Sequence, residues 1–372
     1  MITIEEIFTK KELKQFVTFP FSLYKKHNYW VPPIINDEVE SFNKKTNPVF
    51  EHADARFFLA YKNEQIVGRV CAIINWHEVN NQKTKKMRFG WYDVVDDIEV
   101  SRILIEKVKE IGYQNNLEFI EGPVGFSNLD NVGLITQGFD HIGTMVTWYN
   151  HSYYVEHLKK LGFTKEKGFL ENKFKMDYSG ADKYEKFSRI IKERYQLKSK
   201  SYTSTKQIVP HVDEMFDVFE KAYSKLSSYV PISQRQKDFF KKKYISFINP
   251  EYIQFVFNKE DKMVGFAIMM PSFSEALQKA KGKLFPFGIF HLLKARKHSK
   301  NVTSYLIGVD PEYQSKGVTA IIFHQYFEAF QKKGIENVTR TPELEENVAI
   351  SQLWKVFDPH TYRKRSTFKL TI

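Results

Sequence analysis

Residues 305–319 read YLIGVDPEYQSKGVT, and this stretch decides the fold. The apolar run Tyr305-Leu306-Ile307-Gly308-Val309 predicts a buried strand. Asp310-Pro311-Glu312-Tyr313 ends it, because Pro311 has no N–H for a ladder and restrains Asp310. Gln314-Ser315-Lys316-Gly317-Val318-Thr319 follows, and then Ala320, Ile321, Ile322, Phe323, Tyr326 and Phe327 recur at helical spacing. A strand, a glycine turn and a helix start gather free backbone N–H groups at the positive end of a helix dipole. Such a junction takes an anion and suits a pyrophosphate. The competing reading is an ordinary strand–turn–helix junction with one glycine.

Gln314 and Gly317, with the strand before them and the helix after, resemble motif A of the GNAT acyltransferases. That motif reads Gln or Arg, two residues, Gly, one residue, then Gly or Ala; Thr319 stands where Gly or Ala is usual. The resemblance implies that the loop from Gln314 through Ser315, Lys316, Gly317 and Val318 to Thr319 holds the pyrophosphate of acetyl-CoA or a longer acyl-CoA. It also implies that the backbone of Ile307, Gly308 and Val309 pairs with the pantetheine arm as an added strand would. Lys316 meets a phosphate as a point charge or is a solvated turn lysine. The Thr319 hydroxyl bonds phosphate or caps the helix, or its bulk crowds the pyrophosphate.

A chain of 372 residues is long for one core, so two domains are expected. The order of elements repeats. In the first half, helical spacing covers 9–26, 101–114 and 153–161, and strand patterns cover 57–61, 65–75, 88–95 and 119–121. In the second, helices are expected over 212–226, 234–247 and 318–333, and around 352–356. Strands are expected over 252–257, 263–270, 303–309, 337–340 and 366–370. Helix, hairpin, strand, helix, strand, helix, strand is the GNAT order. The expected fold class is therefore α/β (α+β): two tandem GNAT-like domains, 1–180 and 181–372, each a mixed, mostly antiparallel sheet flanked by helices. One larger mixed sheet is the alternative. Gly122-Pro123-Val124-Gly125, Gly138-Phe139, Tyr153-Tyr154, Leu284-Phe285-Pro286 and Glu345-Glu346-Asn347 further resemble a bacterial tandem-GNAT family across nearly the whole chain.

By the same resemblance, Asn347 bonds the pantetheine arm or the sheet. Glu345 is the candidate general base, against a reading as an acid that only stabilises a helix start. The family often carries a thiolate-protonating Tyr seven residues after this Asn; Trp354 stands there, and an indole N–H donates but is no acid. Tyr362 is the spare candidate. The first half lacks the glycine turn, and Asp96-Asp97-Ile98-Glu99 would repel pyrophosphate. It is expected to act as scaffold or acceptor site.

Net charge is +12, which fits an anionic partner, although no nucleic-acid motif accompanies it. Between 274 and 300 apolar residues alternate with Lys and Arg. That basic amphipathic insertion contacts a membrane surface, lines an acyl-chain pocket, or packs on the other half. The single cysteine, Cys71, lies in an apolar strand and reads as core, which suits a reducing compartment. No metal site is expected from the histidines. No signal-peptide plan or run of about 18–20 apolar residues is evident, so a cytoplasmic protein, soluble or peripheral at the inner membrane face, is expected. The expected function is an acyl-CoA-dependent N-acyltransferase whose amine acceptor, a small molecule or a lipid, is open. The alternatives are long-chain transfer to a lipid amine, which would explain the 16% aromatic residues and the basic insertion, and an acyl-CoA-binding module without turnover.

Overall fold

The computed structural model describes residues 1–372 apart from 128, 227, 228 and 246. The first half supplies β1 (Ile2–Glu6), β2 (Ala53–Lys62), β3 (Gln65–Asn75), β4 (Lys86–Val94), β5 (Phe119–Gly122), β6 (Leu134–Gln137) and β7 (Thr164–Lys175). The second supplies β8 (Lys198–Lys200), β9 (Ile253–Phe257), β10 (Met263–Pro271), β11 (Asn301–Val309), β12 (Asn337–Arg340), β13 (Glu343–Leu344) and β14 (His360–Thr371). All belong to one sheet of order β1-β2-β3-β4-β5-β14-β7-β12-β11-β10-β9-β8, with β6 on β14 and β13 on β7. Pairs are antiparallel except β4 with β5 and β11 with β12. The mixed, mostly antiparallel sheet of two repeats is thus present.

The two repeats do not close separate sheets. Each half lays down five strands of the main path and one short side strand, and then sends its last long strand across. β7 pairs with β12, β14 pairs with β5, and the two crossing strands run antiparallel to each other from His360 opposite Lys173 to Lys369 opposite Thr164. The cores follow the exchange. Phe368 of β14 is buried among Phe58, Phe89, Leu104 and Ile120 of the first half. Phe174 of β7 is buried with Phe216, Phe330, Val338 and Trp354 of the second. Between the strands, Glu171 holds Arg363 at 3.2 Å and also Arg365, with all three side chains out of solvent. The division at 180 therefore marks a repeat in sequence across which the sheet is continuous.

Helices cover the sheet where periodicity predicts them. The expected 318–333 helix is Val318–Lys333, with Ile321, Ile322 and Phe330 in the core. The expected 101–114 helix begins earlier, at Ile98, because the Asp97 side chain accepts the Glu99 N–H and caps it. The expected 234–247 helix is regular over Gln234–Phe240, and residue 246 lies outside the described residues. The basic insertion forms two short helices, Ser274–Ala280 and Gly288–His298. Cys71 is fully buried, and burial pushes its thiol well up.

Candidate active site

β11 is paired on both sides only as far as Ser304. From Asn301 to Ser304 it runs parallel to β12, whose register ends at Arg340. There β12 leaves toward β13, which pairs with Phe169 and Leu170 of β7 instead. On its other side β11 stays on β10 to Val309, with a register shift that skips Tyr305. Such a bulge bends a strand and re-aims its groups. One edge of β11 from Tyr305 to Val309 is thus left without a strand neighbour, and it borders a cavity of about 460 Å³.

Both halves build the walls. The second half contributes the β11 edge, Gln314, Thr319, Ile350 and Leu353; the first contributes Leu129, Val132, Val146 and Phe169 as an apolar wall. At the first-half end stand Lys86, Arg88, Glu121 and Thr367. Lys86 lies 2.8 Å from Glu78 and 3.1 Å from Glu121, and Arg88 donates to Glu78 at 2.6 Å. Burial alone would raise the Glu121 carboxyl, but the charges of Lys86 and Lys167 outweigh it and hold it below its ordinary value. The floor of the cavity is therefore charged and internally neutralised.

The glycine turn forms as the sequence predicts. Asp310 caps a short 3₁₀ turn over Pro311–Tyr313, and Gln314 folds back to donate to the Val309 carbonyl at 3.3 Å. Gly317 has φ +73° at the start of the Val318–Lys333 helix, and a β-carbon there would run into Ile191. Glycine meets both demands, left-handed backbone and close approach. Gln314 and Thr319 border the cavity, Ser315 is exposed, the Lys316 ammonium sits 4.3 Å over the Tyr313 ring, and Val318 is buried. The first turn of that helix leaves backbone N–H groups without intrahelical partners, as an anion requires.

Other predicted residues are spread more widely. Asn347 borders the cavity and caps the Val348–Trp354 helix, accepting from the Ile350 N–H at 3.3 Å. Glu345 lies instead in a separate depression with Gln137, Glu156 and Lys364, ion-paired to Lys165 at 2.9 Å. Tyr362 donates its hydroxyl to Glu171 at 2.7 Å in the seam between β7 and β14, outside the cavity lining. Trp354 is packed between Phe174 and Phe323, with Arg340 5.2 Å over its ring, and does not reach the cavity.

Two groups that sequence reasoning missed do border it. Glu343 accepts from the Arg340 guanidinium, with a 2.9 Å bond from Nε. Burial raises the Glu343 carboxyl above its ordinary value, and the Arg340 charge only partly offsets this. Tyr223 donates to the Ile307 carbonyl at 3.0 Å, and burial pushes its phenol up to about 12. Strand alternation would put Glu343 and Glu345 on one face. The turn that begins at Glu345 parts them.

The first half opens in the same way at β4. A register shift falls between Arg69 and Cys71, β4 is paired with β5 only from Lys86 to Arg88, and a cavity of about 210 Å³ lies beyond. Its turn differs as expected: Asp97 caps the next helix and pairs with Lys62 at 2.9 Å, and Asp96 meets His157 at 3.2 Å. Carboxylates stand where the second half has Gly317. Among the described residues no group of three or more His, Cys, Asp or Glu could hold a metal ion, and no helix is long and apolar enough to cross a membrane.

No protein-family model matches the chain. It is 22% identical over 378 residues to protein YghO of Escherichia coli strain K12, covering 99% of this chain and 95% of that one. It is 24% identical over 323 residues to the bacterial ceramide synthase of Caulobacter vibrioides, covering 84% of this chain and 82% of the relative. Among solved structures, a tandem GNAT protein from the clavulanic acid biosynthesis pathway superposes with a TM-score of 0.59 at 8% identity, over 100% of this chain and 98% of that one. With its two repeats, each with a strand edge opened beside its parallel pair, this chain has the fold of the tandem GNAT proteins.

Proposed function

We propose that the protein transfers an acyl group from acyl-CoA to the primary amine of an amphiphilic acceptor. The fold and the ceramide synthase relative support acyl transfer as the general chemistry. The observation that carries the finer reading is the cavity itself, where an open strand edge, a half-buried carboxylate and an apolar wall from the other half meet. The donor fits the second half. Its pantetheine amides would pair with the free edge of β11, and its pyrophosphate would meet the backbone at Gly317 and the helix start. The Ile307 carbonyl, held by Tyr223, becomes available when that hydroxyl turns to the donor.

The acceptor then enters from the first half, its chain along Leu129, Val132 and Phe169 and its polar head toward Lys86, Arg88 and Glu121. A ceramide is an N-acylated long-chain amino alcohol, and an acceptor of that class matches a cavity with one greasy wall and one charged floor. Amines are protonated near neutral pH, so attack requires a base. Glu343, its basicity raised by burial, takes the ammonium proton directly or through a water. Nitrogen bonds the thioester carbonyl carbon and gives up its second proton to water, the C–S bond breaks, and the sulfur leaves as thiolate and is protonated by water or by the Tyr223 hydroxyl, which water reprotonates. Glu343 within the cavity favours turnover over a binding-only role. The first half, with carboxylates at its own turn, serves as acceptor wall.

The test is mass spectrometry of N-acyl product, with acetyl- and palmitoyl-CoA against short amines and long-chain amino alcohols. The expected result is amide formation with release of free thiol, fastest with the long-chain acceptor. No product with any pair, together with no binding of CoA by calorimetry, overturns the proposal.

A further inference from the structure

Between Glu275 and Asp310 the chain has no Asp or Glu and seven Lys or Arg. This stretch carries the most exposed aromatic cluster of the second half. Phe285, Phe287, Phe290 and Leu293 keep 72%, 73%, 65% and 50% of their surface in solvent. Phe290, Leu293, Lys294 and Lys297 are all exposed at spacings of three, four and seven, so they form one stripe of the Gly288–His298 helix. Lys281 and Lys283 lie just before it and are also exposed. Among the described residues none of these four lysines makes an ion pair.

The exposure does not come from a loose loop. Leu292 and Ala295, on the helix's other side, pack against Val31, Phe273 and Leu277. Gln278 donates to the carbonyls of Asn28 and Trp30 at 2.8 and 3.0 Å, Ser274 to that of Gly143 at 2.7 Å, and the Ile35 N–H reaches Gly282 at 2.9 Å. The insertion is thus fixed to the first half by one face while the other presents aromatic rings framed by ammonium groups. Adjoining segments expose Tyr29, Ile142 and Met145 as well.

A second copy of this chain is a poor occupant, because an isologous contact would bring two lysine-rich faces together. Rings that insert at the headgroup level and lysines that meet anionic headgroups describe a lipid surface. We propose that the face formed by Phe285, Phe287, Phe290 and Leu293, with Lys281, Lys283, Lys294 and Lys297, docks the protein on an anionic bilayer. The protein then rests on the membrane without crossing it. This proposal stands whether or not the protein acylates a lipid.

The test is flotation of the full chain with vesicles of phosphatidylcholine alone or with about 30 mol% phosphatidylglycerol. Binding to the anionic vesicles at least about tenfold above the neutral ones, weakening with salt, is expected. Phe287→Ser with Phe290→Ser, and separately Lys294→Glu with Lys297→Glu, should each lower that partitioning about tenfold with the melting temperature unchanged, since all four side chains are exposed. Parent protein that stays unbound at low salt, or variants that bind as the parent does, overturn the proposal. Self-association that the Phe variant abolishes, without vesicle binding, replaces the bilayer with a second copy.

Discussion

Glu343 shares its carboxylate with Arg340 while facing the cavity, so its two roles, ion-pair partner and proton acceptor, are separable by substitution. Glu343→Gln keeps the shape and removes the base; kcat should fall about 10²–10⁴-fold. CoA affinity measured by calorimetry should stay unchanged. Glu345→Gln should leave kcat intact, because that side chain lies with Lys165 in another depression. A base must be deprotonated to act, and burial raises this carboxyl. The acidic limb of the kcat profile should therefore fall off above the ordinary carboxylate range, and Glu343→Gln should remove that limb. At the turn, Gly317→Ala puts a β-carbon at φ +73° and against Ile191. It should cost about 1–2 kcal/mol in thermal unfolding and weaken CoA binding. The sequence made the turn legible, because a strand, a proline, a glycine and a helix are local signals. It did not make Glu343 legible: the choice between two glutamates two residues apart depends on where the chain turns against β7.

Of the two crossing strands, β7 is not legible as a strand in the sequence and β14 is legible only over 366–370. Thr164–Lys175 is TKEKGFLENKFK, with no clean alternation, and periodicity predicts no strand there. What makes it central is its partner, a strand whose charges are all basic: Arg363, Lys364, Arg365 and Lys369. Glu171 answers Arg363 and Arg365, a match invisible from either segment alone. Burial would raise the Glu171 carboxyl, but Arg365 and Arg363 outweigh it and hold it low. Glu171→Ala leaves two buried guanidiniums unpaired and should cost about 3–5 kcal/mol in urea unfolding. Glu78 sets an acid limit in the same way. Burial opposes its ionisation, yet Arg88 and Lys86 hold its carboxyl at about 2 against an ordinary 4.5. A depressed folded value gives stability that is present above 4.5 and lost as pH falls from there to about 2. Glu78→Gln should flatten that slope in acid-melting curves.

For the whole molecule, the exchange of last strands decides how it folds and how it can be cut. The repeat of elements was legible because each half carries its own periodicities. The crossing was not, since a strand pattern names a face and not a neighbour. Residues 1–180 alone lack the strand beside β5, and residues 181–372 alone lack the one beside β12. Expressed separately, neither half should give a soluble folded product, while co-expression should restore both; the intact chain should melt in a single calorimetric transition. Removing 360–372 should unfold the first half as well as the second, as proteolysis of its β2–β3 hairpin would report. The exchange also sets a timetable on the ribosome. Domains ordinarily fold as they emerge, the earliest first. Here the first repeat must wait with β5 bare until β14 has left the exit tunnel, so the time taken to translate the second repeat is a period in which that edge needs protection.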